Sequence, residues 1–144
     1  MILRAATPSD VDDMADILGH WFNVTNFVPR LHTVDEDRWF IRQAVEKSDV
    51  IVADDAGVRG FIVRNGEEIG QLYLAPDARG RGIGAALLDK MKARADRLSL
   101  FCFQENTGAR RFYERHGFVA KAFSDGSHNE EQVPDVHYVW RSAP

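Results

Sequence analysis

The stretch RGRGIGAALLDKM, residues 79–91, decides how this 144-residue chain is interpreted. Glycine alternates with arginine or isoleucine over its first six residues, and Ile83, Leu87 and Met91 then lie on one face of an amphipathic helix. Glycine is costly in backbone entropy, so this density before a helix indicates that bare backbone is needed there. Because a helix N-terminus has unpaired N–H groups and a partial positive charge, the stretch predicts a site for a di-anion such as pyrophosphate.

The same glycines are compatible with three other interpretations. They can form a tight strand-to-helix turn that binds nothing. A P-loop needs a lysine followed by Ser or Thr, and the stretch has no lysine at that place. Gly80, Gly82, Ala85 and the later Glu105 match a dinucleotide-binding pattern, but the residues after Glu105 are too few to complete a doubly wound sheet.

The segment before the glycines alternates between apolar and polar residues. DVIVAD (49–54), VRGFIVR (58–64) and EIGQLYLA (68–75) are three predicted strands. The dipeptide Asn65-Gly66 between the last two predicts a hairpin with a type I′ turn, since both of its central positions need positive φ. We therefore expect antiparallel pairing upstream of residue 79.

The other elements follow from periodicity and caps. Further strands are predicted over 2–6, 98–103, 118–123 and 136–140, and helices from Thr7 to Phe22, over 34–47, after Gly82, and over 106–117. The fold class is therefore α/β (α+β): a mixed, mostly antiparallel sheet of about seven strands flanked by about four helices. The strands that precede residue 79 and follow Met91 are joined by a helix, so they should be parallel neighbours.

Composition excludes several classes of protein. Hydrophobic residues make up 44% of the chain and charged residues 28%, which predicts one globular domain over residues 1–144. The net charge of -4 gives no basic field for nucleic acid or an anionic membrane. No leader pattern or long apolar run is present, so we expect a cytoplasmic protein. Cys102 is the single cysteine and the histidines lack metal spacing, so we expect no disulfide and no metal.

LYLAPDARGRGIGAALL followed by NTGARRFYERHGF closely resembles the GCN5-related N-acetyltransferase (GNAT) family. The resemblance implies acetyl-CoA as cofactor, held in a sheet whose parallel strand pair is splayed around it. It implies that the pyrophosphate lies on the backbone of Arg79, Gly80, Arg81, Gly82, Ile83 and Gly84. It also implies that the pantetheine arm pairs with Leu72 and Leu74, where an N–H near Tyr73 or Leu74 polarises the thioester carbonyl.

The same resemblance assigns the proton transfers. Tyr113 matches the tyrosine that donates to the departing sulfur, although a half-buried aromatic residue on an amphipathic helix is the simpler alternative. Asn106 matches a residue that holds the cofactor arm, and it also suits the N-cap of its helix. Glu68 matches a carboxylate base, whereas a solvated residue with water as the proton relay is an equal alternative. Cys102, in a buried-strand run, is expected in the core.

Acceptor binding in this family comes from the first helix pair and the last strands. Candidates here are Trp21, Phe22, Glu130, Glu131 and Asp135, whose carboxylates could attract a cationic amine; an acidic surface loop and core aromatics are the alternatives. The resemblance implies acetyl transfer to a primary amine, from a small molecule or a peptide, by direct attack in a ternary complex. A silent acyl-CoA-binding module, another acyl group and an O-acceptor stay open, and a homodimer is compatible with the exposed aromatics.

Overall fold

The computed structural model describes residues 1–143, within which seven strands form one sheet and four α-helices cover it. The sheet order is β1-β2-β3-β4-β5-β7-β6. The strands are β1 (Ile2–Ala5), β2 (Asp49–Asp54), β3 (Val58–Asn65), β4 (Glu68–Leu74), β5 (Arg97–Phe103), β6 (Val119–Ser124) and β7 (Asp135–Arg141). The helices are α1 (Val11–Val24), α2 (Val34–Lys47), α3 (Ile83–Lys92) and α4 (Thr107–Arg115). This confirms the predicted fold class.

Strand β3 shows how the helices cover both faces of the sheet. Gly60–Val63 are all buried, as expected for a strand with helices on each side. Phe61 lies 5.9 Å from the ring of Tyr73 on the α1 side, and a Cβ placed on Gly60 would meet Leu74 and, from α3, Leu87. Helices α1 and α3 therefore pack on opposite faces of β3 and β4.

The β3–β4 hairpin forms as predicted, but its turn is shifted by one residue. Asn65 pairs with Glu68, so the two loop residues are Gly66 and Glu67. Gly66 has φ +64, whereas Asn65 has no positive φ. Positive φ at the first loop residue alone is the pattern of a type II′ turn, which places glycine there. The predicted type I′ turn centred on Asn65-Gly66 is therefore wrong.

The first helix also begins differently from the prediction. Pro8–Asp10 form one turn of 3₁₀-helix, and α1 begins at Val11. The Thr7 N–H donates to the Asp10 carboxylate at 2.8 Å, which closes the predicted capping-box spacing. Arg4 also donates to that carboxylate and, with the Thr7 N–H, holds the pKa of Asp10 below its ordinary value. Within residues 1–143 no helix has the length and apolar character of a membrane span.

The parallel pairing of β4 with β5 is confirmed, and it is brief. Its register contains one pair, Glu68 with Ser99, and the Ser99 N–H donates to the Glu67 carbonyl at 2.8 Å. On its other side β4 pairs with β3 through a β-bulge, because Ile69 lies opposite Arg64 while Gln71 lies opposite Val63. The two strands therefore separate beyond the pair, in the middle of the sheet.

Candidate active site

The glycine stretch forms an open turn over the N-terminus of α3. Gly82 is the N-cap, with φ +76, and Gly80 has φ +74, a left-handed conformation that residues with a Cβ adopt at a cost. A Cβ on either glycine would meet nothing within 4 Å. The glycines are therefore not required by tight packing; they set the backbone path and leave space above the helix N-terminus.

The other residues of the glycine stretch, Arg79, Arg81, Ile83 and Gly84, differ from one another in exposure and contacts. Ile83 is 2% exposed, so only its backbone can face a ligand. A Cβ on Gly84 would lie 3.4 Å from Phe112, at the lower end of ordinary contact, so α3 passes close to α4 at this glycine. Arg81 pairs with Asp55 at 2.9 Å on the surface. Arg79 is the arginine that faces the adjoining groove.

A groove of about 360 Å³ begins at this turn and runs between α3, α4 and β4; we call it the α3–α4 groove. Seven of the residues predicted to contact the cofactor line it: Leu72, Tyr73, Leu74, Arg79, Gly84, Asn106 and Tyr113. Tyr113 of α4 and Trp21 of α1 complete its inner end. The structure thus brings together both halves of the motif predicted from the sequence.

The groove continues into a gap of about 110 Å³ between the separated strands β4 and β5, here called the inter-strand channel. Cys102 lies in its wall, and burial raises the pKa of that thiol to about 12. A thiol with this pKa is protonated at neutral pH and therefore a poor nucleophile. The position agrees with the expectation that Cys102 is a core residue.

Tyr113 lies where the α3–α4 groove meets the channel. Its ring packs 5.3 Å from Phe112 and 5.6 Å from Phe118, and burial raises the pKa of its hydroxyl. The phenol is therefore neutral and keeps a proton that it can donate. Asn106 caps α4, since its side chain accepts from the Ala109 N–H at 3.3 Å, and the same residue lines the channel.

A third space of about 450 Å³, the acidic cavity, opens on the other side of the channel. Its walls come from α1, α2, the loops before α2 and before β7, and from β4 and β5. Its carboxylates are Asp37, Glu130 and Glu131, and no Lys or Arg is among the described residues that line it. These carboxylates give the cavity wall a negative charge, which His32, also in the wall, offsets in part when it is protonated.

Ion pairs join the walls of the acidic cavity. His32 Nε2 lies 2.9 Å from the Glu130 carboxylate, across the two loops, and His32 Nδ1 lies 3.5 Å from Glu36. The bond to Glu130 is the main cause that raises the pKa of His32. Asp37 accepts from Arg30 at 2.8 Å, but burial outweighs this pair and raises the pKa of Asp37.

The predicted acceptor residues divide into three groups. Phe22, Glu130 and Glu131 line the acidic cavity. Trp21 instead lines the groove and the channel, packed 5.4 Å from Tyr73. Asp135 is 3% exposed, and its position does not suit the predicted contact with substrate.

The reason is that the Asp135 carboxylate is fully engaged in its own loop. It accepts from the Ser124 hydroxyl at 2.6 Å and the Asn129 amide at 3.2 Å, and lies 2.9 Å from His128. These bonds lower the pKa of Asp135 against the opposing effect of burial. Asp135 thus shapes the loop that presents Glu130 and Glu131.

Glu68 is also placed differently from the role predicted for it. It is exposed at the first position of β4 and lines none of the three spaces. The geometry therefore gives no support to Glu68 as a base. The sequence predictions do not include three polar residues of the cavity, His32, Asp37 and Gln71. For Gln71 the available signal is Gly70, since an isolated glycine within a strand indicates a bulge.

A known protein family matches more than half of the chain. The model of the acetyltransferase (GNAT) domain matches residues 46–120, which are 75 of the chain's 144 residues. The match includes the open glycine turn, the separated strands and α4. The chain belongs to the GNAT family.

Individual relatives of this GNAT chain cover it in part. An uncharacterized N-acetyltransferase of Methanocaldococcus jannaschii is 38% identical over an alignment of 98 positions that covers 64% of this chain and 43% of the relative. The peptidyl-lysine N-acetyltransferase YjaB of Salmonella typhimurium is 36% identical over 91 residues, 63% of each chain. The matched region thus spans less than two thirds of both relatives.

Solved structures resemble the GNAT chain over nearly its whole length. The apo form of YjaB from Escherichia coli superposes with a TM-score of 0.79 at 21% identity, covering 99% of this chain and 100% of that one. YncA of Salmonella typhimurium, solved with acetyl-CoA, gives 0.74 at 17% identity, covering 100% and 97%. At these identities the likeness supports the fold.

Proposed function

We propose that residues 1–144 form one domain that transfers an acetyl group from acetyl-CoA to a primary amine. The observation that carries the proposal is the continuous path through the molecule. The α3–α4 groove starts at an open helix N-terminus, passes between two separated strands, and ends in the acidic cavity. Tyr73 lines all three spaces, so they meet at one side chain.

The groove suits the two chemically different parts of CoA. Gly80 and Gly82 leave open space over the N-terminus of α3, where N–H groups and Arg79 can hold a pyrophosphate. The inter-strand channel can take the pantetheine arm, whose amides would pair with the free side of β4 near Leu72 and Leu74. The bound cofactor supplies an activated thioester carbonyl, and preorganised N–H donors lower the barrier to attack on it.

The acidic cavity sits opposite, where the amine would enter. An alkylammonium has a pKa of about 10 and must lose a proton before it attacks. Water in the cavity can carry that proton to the carboxylate of Glu130 or Glu131, since both residues line the cavity. Glu68 does not line it. As the carbon–nitrogen bond forms and the carbon–sulfur bond breaks, the neutral Tyr113 hydroxyl can donate its proton to the sulfur, and the second proton that the nitrogen loses can return to Tyr113 through water.

The acceptor class follows from charge and from the relatives. Asp37 pairs with Arg30, and Glu130 pairs with His32. Glu131 makes no ion pair among the described residues, so its carboxylate can attract a cationic amine. YjaB of Salmonella typhimurium and YiaC of Escherichia coli are named peptidyl-lysine N-acetyltransferases, which supports a lysine side chain as one form of that amine. A small-molecule amine presents the same ammonium group. The cytoplasmic location and the homodimer stay predictions.

A turnover assay tests this function. Release of free CoA from acetyl-CoA is measured with a lysine-containing peptide, a diamine and an uncharged alcohol as acceptors. We expect release with the amines and none with the alcohol. In parallel, CoA should raise the melting temperature by mass action. A melting shift without turnover of any acceptor would support a CoA-binding module instead, and no shift at millimolar CoA would reject the cofactor.

A further inference from the structure

Gln71 presents a buried polar atom that the fold itself does not use. Its side-chain oxygen Oε1 is buried and has no hydrogen-bond donor within residues 1–143. An acceptor left unpaired away from water costs free energy comparable to a lost hydrogen bond. A ligand that brings an N–H or O–H to this oxygen would remove that cost.

The bulge in β4 decides which face of the sheet Gln71 occupies. Gly70 is the extra residue, so Gln71 lies opposite Val63 and Tyr73 lies opposite Phe61. In a regular strand Gln71 would be opposite Ile62 and its side chain would lie on the α3 face. The bulge therefore places Gln71 and Tyr73 together on the side covered by α1.

The spaces that Gln71 lines indicate which ligand it meets. It forms part of the inter-strand channel and of the acidic cavity, but not of the α3–α4 groove. Its side chain thus lies at the end of the channel that opens into the acidic cavity, where the acceptor amine would meet the thioester end of the cofactor arm. Tyr73 stands beside it at the junction of all three spaces.

The state of the Tyr73 hydroxyl suits the same ligand. Burial, with a smaller contribution from the Glu131 carboxylate, raises the pKa of Tyr73, so the phenol is neutral. A neutral phenol can accept a hydrogen bond from an amine and donate one to water or a carboxylate. Gln71 and Tyr73 together offer two acceptors at the inner end of a cavity whose outer carboxylates attract a cation.

We propose that the Gln71 side-chain oxygen and the Tyr73 hydroxyl bind the acceptor amine and aim its nitrogen at the channel. The inference rests on the proposed acetyl transfer and names the residues that hold its acceptor. Gln71→Met keeps the length of the side chain and removes the acceptor atom; Tyr73→Phe removes the hydroxyl alone. Gln43→Met is the matched control, because Gln43 lies on α2 and lines none of the three spaces.

The experiment uses n-butylamine as the probe of the amine head. Loss of a hydrogen bond to a charged or strongly polar partner predicts that KM for n-butylamine rises about tenfold or more in Gln71→Met and in Tyr73→Phe. KM for acetyl-CoA and the CoA-induced melting shift should stay within twofold of wild type, because the cofactor arm is proposed to pair with the backbone of β4, which neither variant changes. Gln43→Met should match wild type throughout. An unchanged KM for n-butylamine, or a parallel rise in KM for acetyl-CoA, would overturn the proposal.

A binding readout separates this inference from the proposed function. The side-chain amide signals of Gln71, assigned by their loss in Gln71→Met, are followed by ¹⁵N NMR while n-butylamine is added to the CoA complex. We expect these signals to shift and those of Gln43 to stay. Fixed Gln71 signals in a protein that still binds CoA would reject the docking residues alone, whereas failure to bind CoA would reject the acetyl transfer.

Discussion

The α3–α4 groove and the acidic cavity are built by different means. The groove depends on backbone: two left-handed glycines, one helix N-terminus and the open side of β4. The cavity depends on side chains that two loops and α2 bring together, such as His32, Asp37 and Glu130. The first kind of site is specified by a short contiguous motif, and the second only by the folded chain.

The largest effect should come from breaking the backbone site. Gly82→Asp places a Cβ at φ +76 and a negative charge where the pyrophosphate is proposed, so we expect the Kd for CoA to rise more than about a hundredfold, measured by calorimetry. Gly66→Asp is the matched control, since Gly66 has φ +64 with open space around it but lies in the distant hairpin turn. Equal CoA affinity in wild type and Gly82→Asp would remove the glycine turn from the site.

The second-largest effect is expected at Tyr113, where the α3–α4 groove meets the inter-strand channel. Tyr113→Phe removes the proposed proton donor and should lower kcat roughly a hundredfold while changing KM for acetyl-CoA little, as read from steady-state kinetics. Tyr138→Phe is the control: the Tyr138 hydroxyl bonds Glu114 and Arg110 and lines none of the three spaces. If both variants lose the same activity, the effect is structural and Tyr113 is not the acid.

A smaller effect concerns the side-chain site. Because the bond to Glu130 raises the pKa of His32, Glu130→Gln should bring that pKa down toward its ordinary value, as measured by NMR titration of the imidazole. Glu131→Gln is the control, since Glu131 makes no ion pair with His32 among the described residues. A His32 pKa that is the same in both variants would show that the loops are not joined by this pair.

The His32–Glu130 pair also predicts how the free energy of unfolding changes with pH. A histidine whose pKa is raised in the folded state stabilises it fully below the unfolded pKa, and the stabilisation is lost as pH rises through the folded value. The free energy of unfolding of the wild type should therefore exceed that of Glu130→Gln below the ordinary histidine pKa. The difference should shrink as the pH rises past the raised pKa. A gap that widens with pH would have the wrong sign for this pair.

The smallest effect is expected at Glu68. This residue is exposed and outside all three spaces, so Glu68→Gln should leave kcat/KM within about twofold and the pH–rate profile unchanged. A shift of the acidic limb of the pH–rate profile in Glu68→Gln would show that Glu68 acts as a base despite its exposed position.

The same contrast explains how far the sequence could predict the molecule. The strands, the helices, the parallel pair and the glycine turn follow from local periodicity and from a motif that is contiguous in the chain. The sequence places the hairpin turn one residue too early, at Asn65-Gly66, because Asn-Gly and Gly-Glu are both compatible with a tight hairpin until the register is known. The sequence pattern therefore predicts which strands and helices form more reliably than it predicts the residue at which a turn begins.

Contacts between residues distant in sequence, and one inserted residue in β4, explain why the roles of Asp135 and Gln71 cannot be predicted from the sequence. Asp135 looked like one of several acidic loop residues, but its environment of Ser124, His128 and Asn129 exists only in the folded loop. Gln71 changes face because of one extra residue, which strict alternation along EIGQLYL cannot reveal. Local sequence patterns therefore do not reveal residues whose role depends on tertiary contacts.

The single pairing between β4 and β5 has a consequence for how this sheet meets solvent. Beyond Glu68 and Ser99, the side of β4 that faces β5 has no ladder partner, although β4 lies in the middle of the strand order. Its amides there resemble those of an edge strand, which proteins usually protect because free edges recruit other chains and aggregate. Here two such edges face each other within one molecule, so each is shielded from a second protein and both stay open to a thin ligand that carries its own amides.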